Sequence, residues 1–111
     1  MAELAIDVRD EDGVSHVALS GEFDLAGITR FEDELGALEA SAPPVIVIDL
    51  SDLQFMDSSG LRALVNADGR AQRAGRRLAI VPGPPQVRRV FEITQLVGRL
   101  DLVDDASAVS A

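Results

Sequence analysis

The chain has 111 residues, of which 47% are apolar, and its formal net charge is −9. This length and composition predict a single domain over residues 1–111, with its core at about 4–109. The acidity argues against binding to nucleic acid or to an anionic membrane surface, because both require a basic patch. The chain has neither cysteine nor lysine, which excludes disulfides, thiolate catalysis and Schiff-base chemistry.

The distribution of charge and hydropathy along the chain indicates what kind of partner it could bind and in which compartment it is located. Residues 1–56 carry 13 acidic residues and two arginines, whereas residues 57–111 carry six acidic residues and eight arginines. This asymmetry fits either an ordinary solvated surface or two faces of opposite sign that meet a partner. No apolar stretch approaches the roughly 20 residues of a membrane helix, and no secretory signal is visible, so we expect a cytoplasmic protein.

The first part of the chain predicts an antiparallel hairpin followed by a helix. Residues 4–8 and 17–19 alternate as strands do when one face is buried, and residues 10–13 (Asp-Glu-Asp-Gly) between them are typical of a turn. The helix shows one apolar stripe at spacings of 3, 4 and 3, formed by Ile28, Phe31, Leu35 and Leu38. Either Asp24 or Thr29 could cap this helix.

Two further strands are expected in the middle of the chain. Residues 45–48 and 78–81 are unbroken apolar runs, which are typical of parallel strands buried on both faces. Residues 49–56 are predicted to be a linker rather than a strand. The linker is expected to fold onto the core through Leu50, Leu53 and Phe55.

The remaining elements complete an alternating pattern. Residues 57–74 predict a second helix that ends at Gly75, and the prolines at 84 and 85 begin a third helix. Residues 100–103 predict a short edge strand, and the aspartates at 104 and 105 cap a final helical turn. This order predicts an α/β sandwich with a mixed, mostly parallel sheet, an N-terminal antiparallel hairpin and about four helices.

The residues that could support catalysis are few. His16 is the only histidine and lies within a predicted strand, where a surface or edge position is expected rather than a catalytic one. The acidic residues 10–12 could hold a metal only as an all-carboxylate site, and their position favours a hairpin turn. A phospho-aspartate receiver domain is excluded because its chemistry needs a lysine. We therefore expect no enzyme activity, no metal and no cofactor.

The sequence Asp-Ser-Ser-Gly at residues 57–60 is the strongest candidate for a functional site. Aspartate and serine are preferred N-caps, worth about 1 kcal/mol, so a purely structural role would also explain the motif. In open α/β sheets, however, partners meet the carboxyl ends of the strands, where a helix N-terminus presents unpaired N–H groups. A phosphate on a serine there would add about −1.5 to −2 charge and could alter docking without refolding the domain.

Several segments match a known family in order and without insertions, over about residues 4–109. They are residues 21–24 (Gly-Glu-Phe-Asp), 45–51 (Val-Ile-Val-Ile-Asp-Leu-Ser), 53–61 (Leu-Gln-Phe-Met-Asp-Ser-Ser-Gly-Leu) and 88–92 (Arg-Arg-Val-Phe-Glu). On these segments the chain resembles a STAS domain, the sulfate-transporter and anti-sigma-factor-antagonist family, and specifically its stand-alone bacterial antagonists.

The resemblance implies partner switching in transcription regulation. The unmodified antagonist would bind an anti-sigma factor that is itself a serine kinase, and so release the sigma factor. The kinase would phosphorylate Ser58 and end binding, and a metal-dependent serine phosphatase would restore it. The resemblance and the position of the motif together predict these partner-binding residues: Asp24, Asp57, Ser58, Ser59, Gly60, Leu61 and Arg62.

An alternative within the same fold is a permanent scaffold, such as an accessory subunit of a lipid-transport ATPase or of a stressosome-like complex. One residue departs from the family pattern, since Gln95 stands where many members have glycine after the third helix. This leaves the geometry of the final turn open but does not touch the switch. A monomer is the simplest expectation for an acidic chain with no visible coiled coil.

Overall fold

The computed structural model describes residues 3–94 and 99–111, and within them five strands form one sheet in the order β1-β2-β3-β4-β5. The strands are β1 (Ala5–Glu11), β2 (Val14–Phe23), β3 (Val45–Met56), β4 (Arg77–Val81) and β5 (Asp101–Leu102). The helices are α1 (Ile28–Ala40), α2 (Ser58–Ala74) and α3 (Pro85–Ile93), with short 3-10 turns at Leu25–Gly27 and Ala106–Ala108. None of the described helices is both long enough and apolar enough to cross a membrane.

The predicted fold class is confirmed. Strands β1 and β2 pair antiparallel, and the other three neighbouring pairs are parallel. The hairpin turns at Asp12 and Gly13, whose φ angles are 51° and 83°. A tight hairpin turn requires such positive φ values, which Asp-Gly pairs adopt readily. In place of about four helices, the described chain has three α-helices and two single 3-10 turns.

The two faces of the sheet are covered differently. The three α-helices pack on one face and form the main core, whose largest fully buried side chains include Phe23, Phe31 and Phe91. The opposite face has a smaller apolar cluster, which C-terminal residues cover. Its buried members are Val14, Val45, Val47, Ala79, Val81 and Val109. The helix-covered face therefore contributes most of the buried apolar area and holds the elements around residue 57 in place.

The prediction of a linker at residues 49–56 is wrong, because β3 continues through them to Met56. The long strand β2 supplies hydrogen-bonding partners along this stretch, with Gly21 opposite Leu53 and Phe23 opposite Met56. Two register shifts between the paired strands, each with one extra residue in β3, accommodate the extra length of β3. Leu50 and Leu53 are buried, as expected, but Phe55 is 47% exposed. The predicted burial of Phe55 is therefore also wrong.

Most helix ends follow simple capping rules, and the N-terminus of α1 is an exception. Neither predicted residue caps α1: Asp24 caps the 3-10 turn before it, Thr29 lies inside it, and the N-cap position is Gly27, which makes no side-chain hydrogen bond. Gly75 ends α2 at φ 68°, a conformation that favours glycine. Asp105 caps the final turn, and hydrogen bonds from Ser107 hold the pKa of its carboxyl below the usual value.

The predicted third helix and edge strand are present, since α3 begins at Pro85 and β5 pairs with β4. Gln95, the departure from the family pattern, lies outside the described residues. The edge strand is shorter than residues 100–103, because only two residues of β5 pair with β4.

The extension of β3 can be tested with two substitutions in the same stretch. Leu50→Ala should lower the free energy of unfolding by about 2–5 kcal/mol, because it leaves a cavity in the core. Phe55→Ala should lower the free energy of unfolding by only about 1 kcal/mol, because about half of that side chain is already in water. Urea unfolding followed by circular dichroism measures both. Equal losses would contradict the described orientation of the strand.

Candidate functional site

The N-terminus of α2 is fixed by the carboxylate of Asp57. Oδ1 of Asp57 accepts hydrogen bonds from the backbone N–H groups of Ser59 at 2.9 Å and Gly60 at 3.2 Å. The backbone of Asp57 is extended, with φ −106° and ψ −172°, as an N-cap requires. The motif is therefore a helix cap, and its carboxylate already occupies two of the N–H groups that the helix end would otherwise leave unpaired.

A close contact with β2 holds this helix end against the sheet. The backbone N–H of Asp57 donates to the carbonyl oxygen of Phe23 at 3.3 Å. A Cβ atom on Gly60 would lie 2.7 Å from the same oxygen and 2.9 Å from Cγ of Met56. Glycine is thus required at position 60 for steric reasons, because no side chain fits between the helix and the strand. The ring of Phe23 packs on that of Phe31 at a centroid distance of 4.8 Å, which ties the contact to α1.

The two serines of the motif differ in exposure. Ser58, the first residue of α2, is exposed, whereas Ser59 is only partly exposed. Gly60 and Leu61 are buried, so they support the helix end from beneath and present little surface to a partner. Arg62, one turn after Ser58, is exposed. Of the two hydroxyls, that of Ser58 is the more accessible to a modifying enzyme.

A groove of about 350 Å³ lies beside Ser58, between α2 and the segment that contains α1. It is lined by Leu25, Ile28, Glu32, Ser58, Ser59, Arg62, Ala63 and Asn66. Leu25 is 74% exposed, so the groove has an apolar side chain open to solvent at its edge.

One arginine joins the two helices next to this groove. Arg70 of α2 forms ion pairs with Glu39 at 3.0 Å and with Glu32 at 3.2 Å, both on α1. Oε1 of Glu32 and Nη2 of Arg70 are buried without a hydrogen-bond partner among the described residues. Glu32 therefore contributes both to the pairing of the helices and to the wall of the groove.

Asp24 lies near the motif but faces a different depression. It follows Phe23 directly, and its Oδ1 accepts a hydrogen bond from the backbone N–H of Ala26 at 3.2 Å. It lines a pocket of about 300 Å³ together with Glu22 and Arg30. The structure thus places Asp24 beside the cap residue but outside the groove that Ser58 lines.

The other residues considered for chemistry lie elsewhere. His16 is on β2 near the hairpin, its imidazole is 3.8 Å from a carboxylate oxygen of Glu11, and its side chain is 14% exposed. Among residues 3–94 and 99–111, no three histidines or acidic residues are arranged to hold a metal ion.

Two exposed apolar residues near the motif were not predicted as part of a surface. Leu25 precedes Ile28 by three residues, so periodicity alone would place it in the core stripe of the helix. It lies instead in the separate 3-10 turn. Phe55 lies at the carboxyl end of β3, two residues before Asp57. The only sequence pattern that indicates the exposure of Phe55 is the alternation of the strand, which places the neighbouring Met56 in the core.

Comparison with known proteins identifies the family. The family model described as "Mlab, STAS domain" matches residues 6–104. The chain belongs to the STAS domain family. The predicted resemblance is thereby confirmed, and the match covers all of the described sheet except Ala5, the three described α-helices and the motif of residues 57–60.

Three relatives illustrate where this STAS domain lies within the family. The anti-sigma F factor antagonist of Paenibacillus polymyxa is 31% identical over 105 residues, which are 92% of this chain and 88% of that protein. The anti-sigma-F factor antagonist RsfB of Mycobacterium tuberculosis is 36% identical over 61 residues, 55% of this chain, and the match spans only 50% of that relative's length. The crystal structure of an anti-sigma factor antagonist from Mycobacterium paratuberculosis has a TM-score of 0.88 at 32% identity, covering 96% of this chain and 90% of that one.

The steric role of Gly60 can be tested against another helical glycine. Gly60→Ala should lower the free energy of unfolding by about 1–3 kcal/mol, because its Cβ would collide with the carbonyl of Phe23. Gly36→Ala is the matched control: nothing lies within 4 Å of its Cβ position in α1, so it should stabilise the domain by about 0.5–1 kcal/mol. Urea unfolding measures both values. A stabilising Gly60→Ala would contradict the close contact with β2.

The cap can be tested by separating its hydrogen bonds from its charge. Asp57→Ala should lower the free energy of unfolding by about 1 kcal/mol, because the N–H groups of Ser59 and Gly60 lose their acceptor. Asp57→Asn keeps an acceptor oxygen and should cost no more than about 0.5 kcal/mol. Thermal unfolding of the two variants measures both losses of stability. If both lose the same stability, the charge rather than the capping geometry holds the helix end.

Proposed function

We propose that this protein is an anti-sigma factor antagonist that works by partner switching. Its unphosphorylated form binds an anti-sigma factor with serine kinase activity and so releases a sigma factor. Phosphorylation of Ser58 ends binding, and a serine phosphatase restores it. The protein acts in the cytoplasm as a binding module, without enzyme activity or a cofactor of its own.

The observation that carries this proposal is the position of Ser58. Its hydroxyl is exposed at the first residue of α2, at the carboxyl end of β3 and on the rim of a groove. Three features of the surroundings support a protein partner: the exposed Leu25 in the groove, the exposed Phe55 at the same edge of the sheet, and relatives of similar length that are named antagonists of anti-sigma factors.

The physical effect of phosphorylation would be local. A phosphate on Ser58 adds about −1.5 to −2 charge directly next to the carboxylate of Asp57 and on the same groove wall as Glu32. Asp57 already accepts from the N–H groups of Ser59 and Gly60, so these donors cannot also neutralise the phosphate. Docking would then bury added negative charge beside Asp57, which costs several kcal/mol. Binding is lost although the fold is unchanged.

The proposed contact surface has an exposed part and a supporting part. Asp24, Asp57, Ser58, Ser59 and Arg62 are at least partly exposed and can touch the partner, and we add Leu25 and Phe55 to them. Gly60 and Leu61 are buried and act by holding the helix end in position.

The switch can be tested by binding to the anti-sigma kinase encoded in the same genome. Ser58→Ala should bind that kinase with unchanged affinity and keep binding in the presence of ATP, because it cannot be phosphorylated. Ser58→Glu should bind at least tenfold more weakly, because it adds a negative charge to the interface. Ser59→Ala is the matched control and should still release on addition of ATP. Isothermal titration calorimetry measures affinity, and mass spectrometry locates the phosphate.

Two outcomes would count against the proposal. Equal binding by Ser58→Ala and Ser58→Glu would show that position 58 lies outside the interface. Stable co-purification with an ATPase or a large assembly, indifferent to both substitutions, would favour the scaffold alternative instead.

A further inference from the structure

One face of α2 carries a regular row of polar side chains that faces α1. Ser58, Arg62, Asn66 and Arg70 recur every four residues, a spacing that places them on one side of a helix. The first three line the groove, and Arg70 lies beyond them in its ion pairs with α1. The row therefore runs from the exposed hydroxyl of Ser58 to the joint between the two helices.

Arg62 differs from the other charged members of this row and of the groove. It is the one basic residue that lines the groove. Arg70 is engaged by Glu39 and Glu32, whereas Arg62 forms no ion pair within residues 3–94 and 99–111. Arg62 is exposed and lies one helical turn from Ser58, so its guanidinium is available to bind an anionic group.

The helix N-terminus itself offers little to a phosphate at this position. The carboxylate of Asp57 accepts from the N–H groups of Ser59 and Gly60 and adds its own negative charge beside the hydroxyl. Glu32 adds a second carboxylate to the groove. A phosphate on Ser58 therefore meets two negative neighbours and needs a cation from elsewhere.

We propose that Arg62 is the counter-ion of a phosphate on Ser58. The inference rests on the proposed function, in which Ser58 is the modified residue. Charges at positions i and i+4 of a helix are neighbours, and arginine binds phosphate oxygens through paired N–H donors. Arg62 is thus a positioning residue: it turns towards the phosphate and holds it at the mouth of the groove.

This pairing gives phosphorylation a second effect on the groove. In the unmodified form Arg62 offers a cation to a partner, next to the exposed side chain of Leu25. In the phosphorylated form the same cation is engaged by the phosphate. The partner therefore meets added negative charge and loses a basic contact at the same time, because Arg62 and Glu32 balance each other in the unmodified groove wall and the phosphate makes that wall negative.

The test uses phosphoserine inserted at position 58 during translation, so that no kinase is needed. The second pKa of the phosphate, about 6 in a free phosphoserine, is followed by ³¹P NMR titration in the folded protein. Arg62→Gln should raise this pKa by about 0.3, because loss of the neighbouring cation disfavours the dianion. Arg62→Lys should keep most of the original value, since it retains the charge.

Arg73→Gln is the matched control for the loss of one positive charge on the same helix. Position 73 lies 15 residues from position 58, about 22 Å along the helix axis, well beyond the screening length of about 8 Å at physiological salt. The pKa should therefore not change. Circular dichroism of each variant confirms that the helix is intact.

An identical pKa in the Arg62→Gln and Arg73→Gln proteins would overturn the pairing. Loss of the pairing and loss of the proposed function remain distinguishable. The titration does not involve the partner, so its result does not depend on whether the Ser58 variants alter kinase binding.

Discussion

The candidate site depends on the way one carboxylate and one missing side chain join helix α2 to the sheet. Asp57 accepts from two backbone donors at the start of the helix, while Gly60 lets that helix end approach the carbonyl of Phe23. Because Phe23 also packs on Phe31, the cap is connected to the main core. The hydroxyl of Ser58 is consequently held in a fixed place by residues that are themselves buried or hydrogen-bonded.

Most of the secondary structure could be predicted because local chemistry and tertiary structure agree. The Asp-Gly turn at residues 12–13, the cap at Asp57 and the helix end at Gly75 need only their own backbone conformation. The stretch at residues 49–56 could not be predicted, because its strand structure comes from pairing with β2 rather than from its own alternation. Its polar residues indicate a linker until the partner strand is known.

The place of the candidate motif in the fold could be predicted, but the shape of the groove beside it could not. The motif at residues 57–60 is read directly from the sequence, as is the helix that follows. The groove requires the relative placement of α1 and α2, and that placement depends on contacts of Arg70 with residues more than 30 positions away. The exposure of Leu25 could not be predicted from the sequence either. Its spacing from Ile28 fits a core stripe, and only the 3-10 turn removes it from that stripe.

The order of the sheet has a consequence for how the molecule assembles. Each described strand lies beside the strand that precedes it in the chain, so no strand has to enter between two earlier ones. Each parallel pair is joined by a crossover that contains one α-helix, so no pairing spans more than one such strand-helix-strand unit. The residues that line the groove all fall between positions 25 and 66. The lining of the groove is thus supplied by one continuous segment of the chain, to which neither α3 nor β5 contributes a residue.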